Sequence, residues 1–385
     1  MTERLYYEDS HIHEFDAAVK DCRRDKKGWI VILDRTAFFP EGGGQPADTG
    51  NIGKARVSDV QEKDGGIFHY TDMELEKDAV LHCSVDYEQR RRRMQNHSGE
   101  HIVSGLTHNL FGYNNVGFHM GEDCMTIDFD GELSGEQIEK IETLANKAVR
   151  DNVPVKTCFP EPGELAGIDY RSKLELTHDV RLVEIEGVDC CACCAPHVAR
   201  TGEIGVIKIL DAQRHRGGMR LSLICGMDAL DNYRAVHKNN AEISVMLSAK
   251  RNKTPDAVNR LLQENESGKA RIAELSRKLI ELTAGGYAET DGNICVFDNI
   301  LDEIALRELV NLLMEKCGGI AAAFSGSDEK GYRYIIGSRS TDLRKNARII
   351  NSGIGGRGGG KSGMIQGSAA EKAETIRKFI ENFTV

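Results

Sequence analysis

Two histidines four residues apart, His97 and His101, sit in the run NHSGEHIVSGL with Glu100 just before the second. On a helix, positions i and i+4 stack on one face, so both imidazoles can reach one metal ion. A chance pair at that spacing is expected about 0.4 times in a chain with this length and histidine content, so the pair needs corroboration. The run VDCCACCAPHVARTGEIG supplies it: Cys190, Cys191, Cys193 and Cys194 are crowded together and His197 follows. Cys193 and His197 repeat the four-residue spacing. With His97 and His101 they form an N, N, S, N donor set that suits tetrahedral Zn2+. The bland alternative is a set of hydrogen-bonded core histidines beside buried thiols.

The same residues spell a rival chemistry. His97-Ser98-Gly99-Glu100-His101 is an H-x-x-E-H string, the inverted zinc-protease signature in which the glutamate activates a metal-bound water. Such a metallopeptidase would draw its third ligand from a distant carboxylate, leaving Cys193 and His197 without a purpose.

The chain that must position these residues has 385 of them, 40% hydrophobic and 29% charged. That length implies two to four domains. The N-terminus lacks a basic segment followed by an apolar one, and no apolar run approaches the roughly 18 residues of a membrane span, so a cytoplasmic location and no membrane partner are expected. A reducing compartment makes the 11 cysteines free thiols or metal ligands. The net charge of −10 argues mildly against a general nucleic-acid binder. Total charge says little, however, where basic residues are segregated.

The first ninety residues read as β-rich, with GWIVILDRTAFF, ARVSDVQ, GIFHY and AVLHCSVD as strands and PEGGGQPADTG between the first two. A helix begins near the arginine run that precedes His97. Ser134 and Gln137 mark a capping box in front of a further helix. The cysteine cluster is expected in a loop, because Pro196 and Gly202 surround it. From Ala229 to Leu282 apolar residues step by three and four, interrupted by KRNKTPD with Thr254 as N-cap and Pro255 at the first helical position. This predicts a helical hairpin or arm. The last hundred residues alternate strand and helix as in a two-layer unit. Between Lys330 and Lys361 eight basic residues face one acid, a local net of +7.

The motifs NHSGEHIVSGL, CCAPHVARTGEIG and FFPEGGGQPADTG resemble the three signatures of the AlaX family and of the editing domain of alanyl-tRNA synthetase. The C-terminal NSGIGGRGGGKSGMIQGSA and the arm before it resemble the DHH-associated C-terminal part of that synthetase. Nothing in front of the motifs resembles a class II aminoacylation domain, and the length fits the long, freestanding form of AlaX.

The resemblance implies an α+β multidomain protein. Its parts are a β-barrel-like N-terminal domain (1–88) with the GGGQ motif, a zinc-containing editing domain (89–227), a helical hairpin or coiled-coil arm (228–285), and an α/β DHH-associated domain (286–385). It implies an aminoacyl-tRNA hydrolase serving translation fidelity, which cleaves the ester of alanine tRNA mischarged with serine or glycine. Zinc is held by His97, His101, Cys193 and His197; the chain's Cys194 and Pro196 depart from the usual C-G-G-T-H, so Cys191 or Cys194 could replace Cys193. Gln45 and Glu100 are the catalytic candidates, and Gly43, Gly44 and Gln45 the substrate-binding ones. Arg91, Arg92, Arg344, Lys345, Arg357 and Lys361 are expected to meet tRNA. A homodimer through the arm or the C-terminal domain is also expected. A zinc-stabilised tRNA-binding protein without catalysis is the alternative of a different class.

Overall fold

The computed structural model describes residues 2–26, 28–165, 167–172 and 180–384, which fall into two compact units, Met1–Asn240 and Ala241–Val385. In the first unit six strands close into a barrel: β1 (Glu14–Asp25), β2 (Gly28–Leu33), β3 (Gly50–Ile52), β4 (Ala55–Lys63), β5 (Gly66–Thr71) and β6 (Val80–Val85), in the order β1-β2-β5-β4-β3-β6. Strand β1 was not among the expected strands. Its signal is plain alternation: Phe15, Ala17 and Val19 point into the core while Glu14, Asp16 and Lys20 stay exposed. Val31, Leu33, Val57, Val60 and Ile67 complete the barrel core.

Helix α1 (Tyr87–Phe111) leaves the barrel and enters a second core. Its Met94, Ile102 and Val103 pack against helix α2 (Gly135–Asp151) and a four-stranded antiparallel sheet. That sheet runs β12-β13-β8-β7, built from β7 (Asn115–Met120), β8 (Met125–Phe129), β12 (Ile207–His215) and β13 (Gly218–Cys225). The Ser134–Gln137 capping box forms as expected at the start of α2.

A separate three-stranded sheet, β9 (Val155–Cys158), β10 (Leu182–Ile185) and β11 (Asp189–Ala192), carries part of the cysteine cluster. The expected loop is therefore half strand. Cys190 and Cys191 pair with Glu184 and Val183 in the ladder, and only Cys193 and Cys194 lie beyond its end.

Helix α3 (Gly226–Met246) ends the first unit and continues past it; α4 (Thr254–Gly285) belongs to the second. Thr254 is not the N-cap. The 3-10 turn Arg251–Lys253 runs straight into the helix, so Lys253 caps and the Thr254 hydroxyl bonds back to Arg251 O at 3.4 Å. Along the two helices Tyr233, Val236, Ile243, Leu261, Ile272, Leu275 and Leu282 remain exposed.

The second unit is built on a five-stranded sheet of β14 (Ile294–Asp298), β15 (Ile320–Ser327), β16 (Gly331–Ser338), β17 (Gly356–Lys361) and β18 (Met364–Ala369), ordered β14-β15-β16-β18-β17. The expectation of two layers is corrected to three. Ala321, Ala323 and Ile335 face α4 and α5 (Glu303–Leu313), whereas the alternate residues Ala322, Phe324 and Ile336 face α6 (Leu343–Gly353) and α7 (Ala373–Glu381). Helix α6 escapes a sequence reading because LRKNARIINSG buries only Leu343 and Ile350. The glycine-rich motif forms the hairpin β17–β18 at the sheet edge. Among the described residues no helix is long and apolar enough to cross a membrane.

Candidate metal centre

Helix α1 buries a polar face. His97, Ser98, Glu100, His101 and Ser104 are each at most 5% exposed, which an ordinary solvent-facing helix would not do. Its end of the barrel is fixed by Arg90, fully buried, which donates to both Asp48 and the Ala37 carbonyl. Asp48 also accepts from Phe39 N at 2.7 Å, so this ion pair clips the FFPEGGGQPAD loop to the helix. The arginine run is thus divided. Arg90 is structural, Arg92 pairs with Asp228 and Asp231, and Arg91 is exposed.

Inside the clipped loop, Gly42 and Gln45 exchange backbone hydrogen bonds of 3.1 and 3.0 Å around Gly43 and Gly44, whose φ angles are +60° and +81°. A Cβ on Gly44 would also strike the Phe118 ring at 2.7 Å, so glycine is required there twice over. The tight turn delivers Gln45, completely buried, to His97: Nδ1 of the imidazole lies 2.9 Å from Oε1 of the amide. Gln45 Nε2 is left without a partner.

From the other side comes the chain after β11. Ala195 packs into the barrel core, which holds the CCAPH segment against the barrel. His97, His101, Cys193 and His197 bring one donor atom each within 4.8 Å of all the others. Cys193 Sγ is 3.6 Å from His97 Nε2 and 3.4 Å from His197 Nε2. Nδ1 of His97 is hydrogen-bonded to Gln45 and Nδ1 of His197 to Ser98 Oγ at 3.0 Å, whereas His101 Nδ1 makes no hydrogen bond among the described residues and lies in ion-pair range of Asp189 Oδ2, at 3.1 Å. Fixing the outer ring nitrogen so that the inner one faces the ion is how proteins orient metal-binding histidines. The four residues fit a metal ion.

Electrostatics separates the cysteines. Burial opposes ionisation of Cys193, yet the fields of His97 and His197 and hydrogen bonds from His101 and His197 outweigh it and hold the thiol well below its usual range. Burial raises Cys191, and protein crowded around the sulfur pushes Cys194 up to about 11 although the residue as a whole is exposed. Cys191 groups with His101 and Asp189 instead, and Cys194 is exposed near Gly42 and Gly43. Burial, with the neighbouring His101, also lowers His197 to about 3, so it stays a neutral donor. For His101 burial works downward, but Asp189 and Cys193 carry it well above the ordinary value.

His97, His101 and Cys193 of the cluster line a cavity of about 870 Å³ that also takes in Gly43, Glu100, Asn115, Phe118 and Arg181. Glu100 does not face bulk water. Its Oε1 accepts from Ser104 Oγ at 2.6 Å and Asn115 Nδ2 at 2.5 Å, and its Oε2 stands 3.8 Å from His101 Nε2. Asp189, held by Arg171 Nε and Nη2 at 2.7 and 2.9 Å, was missed by sequence reasoning, as were Ser98, Asn115, Arg171 and Arg181. An acid directly before the cysteines was the one available signal; Asn115 and Arg171 offered none. Gly105 makes the Asp189 contact possible, because any Cβ there would lie 2.5 Å from Val188 O.

The remaining candidates belong to the second unit. Arg344, Lys345, Arg357 and Lys361 are all exposed, the last two on edge strand β17.

A barrel and a histidine helix closing on a cysteine loop, followed by a sheet unit with a glycine-rich edge, define a multidomain protein with a buried His/Cys centre at a cavity. Three family descriptions match it: threonyl and alanyl tRNA synthetase second additional domain over residues 180–221, tRNA synthetases class II (A) over 2–89, and DHHA1 domain over 291–385. The class II match falls on the barrel and its entry, where the sequence reading saw no synthetase resemblance beyond the glycine-rich motif. The alanyl-tRNA editing protein AlaX-L of Pyrococcus horikoshii is 29% identical over 98% of this chain and 96% of its own length. Alanine–tRNA ligases of Natronomonas pharaonis and Ignicoccus hospitalis are 33% and 30% identical over 85% and 94% of this chain, which spans 37% and 40% of their lengths. Along nearly its whole length the chain is similar to the long form of the AlaX family of alanyl-tRNA editing proteins.

Proposed function

We propose that this protein hydrolyses the ester joining a noncognate amino acid, serine first and glycine second, to alanine tRNA. The carrying observation is the His97–His101–Cys193–His197 cluster, three of whose members, His97, His101 and Cys193, line a cavity that also holds a buried carboxylate. Three imidazoles and one thiolate favour zinc. Zinc bound there supplies a fixed positive charge and a Lewis acid beside the substrate.

The chain's own groups do the rest. Glu100, fixed by Ser104 and Asn115, takes the proton of the attacking water at Oε2 and returns it to the departing ribose oxygen. Gln45 spends Oε1 on His97, so its free Nε2–H is the donor for the substrate's side-chain hydroxyl or terminal ribose. Gly43 lets the backbone approach the ester. Arg91, with Arg344, Lys345, Arg357 and Lys361, contacts tRNA phosphates, while Arg92 is neutralised by Asp228 and Asp231 and drops out of that set; the exposed apolar residues of α3 and α4 serve a homodimer. Cytoplasmic translation is the setting this reaction requires. The convergence of Cys193 and His197 with the two helix histidines weighs against a metallopeptidase, whose third ligand would be a carboxylate.

Single-turnover deacylation of seryl-, glycyl- and alanyl-tRNA(Ala) tests this reading. Serine is expected to leave much faster than alanine, because a site that hydrogen-bonds a hydroxyl leaves polar groups unpaired with the analogue lacking it. Gln45→Ala should narrow that gap, and Glu100→Gln should slow all esters by roughly 10²–10⁴-fold with metal retained. Equal wild-type rates on seryl and alanyl esters would remove the editing function; a metal-replete wild type inactive on every ester would favour tRNA binding alone.

A further inference from the structure

Arg181 is only 5% exposed, yet no carboxylate pairs with it among the described residues. Its Nη1 donates to Cys193 O and Ala195 O, each at 2.9 Å, and its guanidinium carbon lies 5.2 Å from the Tyr7 ring centroid. The Nε–H is buried and makes no hydrogen bond among the described residues. Arg181 lines the same cavity as His97, His101, Cys193 and Glu100. A buried cation with an unused donor beside a reaction cavity is a group awaiting a ligand atom.

We infer that the Arg181 guanidinium is the oxyanion donor of the hydrolysis: a guanidinium donor not spent on the Cys193 and Ala195 carbonyls receives the ester carbonyl oxygen as negative charge develops there. This rests on the function proposed above. Water attacks the carbonyl carbon, the C=O π pair moves onto the oxygen facing Arg181, and the water proton passes to Glu100. When the pair returns, the bond to the ribose oxygen breaks and that oxygen takes the proton, giving free amino acid and a ribose hydroxyl. Geometry favours the carbonyl oxygen over a tRNA phosphate as the partner. The guanidinium is anchored on the carbonyl of Cys193, one residue's breadth from the cluster, whereas the 5′-phosphate of the terminal nucleotide leaves the ribose on the side away from its acylated hydroxyls. A donor poised for charge that exists only in the transition state lowers the barrier without tightening substrate binding.

The test uses metal-replete full-length protein, wild type, Arg181→Met and Arg181→Gln, with metal content, single-turnover rates on seryl-tRNA(Ala) and affinity for a non-cleavable 3′-seryl-amide adenosine. The expected result is full metal, unchanged analogue affinity and a rate constant reduced roughly 10²–10³-fold, partly restored in Arg181→Met by added guanidinium ion. Glutamine can still reach a loop carbonyl, so Arg181→Gln decides the matter if methionine loosens the loop and loses metal. An unchanged rate in the metal-replete variant, or a loss confined to substrate affinity, overturns the inference. An active wild type with unaffected variants sinks this inference alone, while a wild type inactive on the ester sinks the proposed function as well.

Discussion

His101 Nδ1 lies 3.1 Å from Asp189 Oδ2, with both side chains at most 2% exposed. The carboxylate is itself gripped by Arg171, so an ion-pair chain of three residues runs from the imidazole away from the candidate metal centre. Burial alone would raise the Asp189 carboxyl, but His101 and Arg171 hold it below its ordinary range, and it remains an anion at neutral pH. Asp189→Asn should therefore weaken metal binding about 10–100-fold. Competition against a chelator of known affinity measures this; unchanged affinity would mean that the helix alone orients His101.

The sulfur ligand is open to a direct comparison. Cys193→Ser and His101→Ala are each expected to lose most of the metal, because three ligands bind far less tightly than four. Cys191→Ser and Cys194→Ser should keep one equivalent, since the surroundings of both sulfurs raise their thiols above the usual range, unlike Cys193. Elemental analysis of the four purified variants gives the answer, and a metal-free Cys191→Ser would transfer the ligand role.

The proposed contact of the second unit with tRNA predicts a salt effect. Replacing Arg344, Lys345, Arg357 and Lys361 by alanine should weaken binding and make the slope of log K against log salt shallower by roughly 0.7–0.9 for each phosphate that the variant leaves unneutralised. Equal slopes for wild type and the quadruple variant would take this surface out of tRNA binding.

The barrel carries its own acid sensitivity. His69, enclosed between Thr36 Oγ1 and Val31 O, is lowered to about 4 by burial despite the backbone hydrogen bond. Between about 6.5, the unfolded value, and about 4 the unfolded chain binds a proton that the native chain refuses, so stability falls as pH falls across that window. The loss reaches about 3 kcal/mol at one pKa unit per 1.36 kcal/mol. Denaturant midpoints at pH 7 and pH 4.5 measure it, and His69→Gln should flatten the difference. An unchanged difference would place the sensitivity elsewhere.

The sequence by itself determined the local quantities. The i, i+4 spacing of His97 and His101 and of Cys193 and His197 names the donor set, and period-two and period-3.6 patterns give most strands, α1, α2 and the long helices. The GGGQ turn is written in glycines because only they adopt +60° and +81° at Gly43 and Gly44 without strain. What tertiary structure alone decided is which polar groups meet across long separations. Gln45 reaches His97 over 52 residues, Asn115 and Ser104 hold Glu100, and Arg171 and Asp189 hold His101. The choice of Cys193 among its neighbours was likewise made by the fold: the ladder of β11 ends at Ala192, and the field of three histidines acts on one sulfur. None of these side chains repeats with a period or marks an element boundary. Their placement follows from a barrel, a helix and a sheet packing together, and so from the apolar residues behind them.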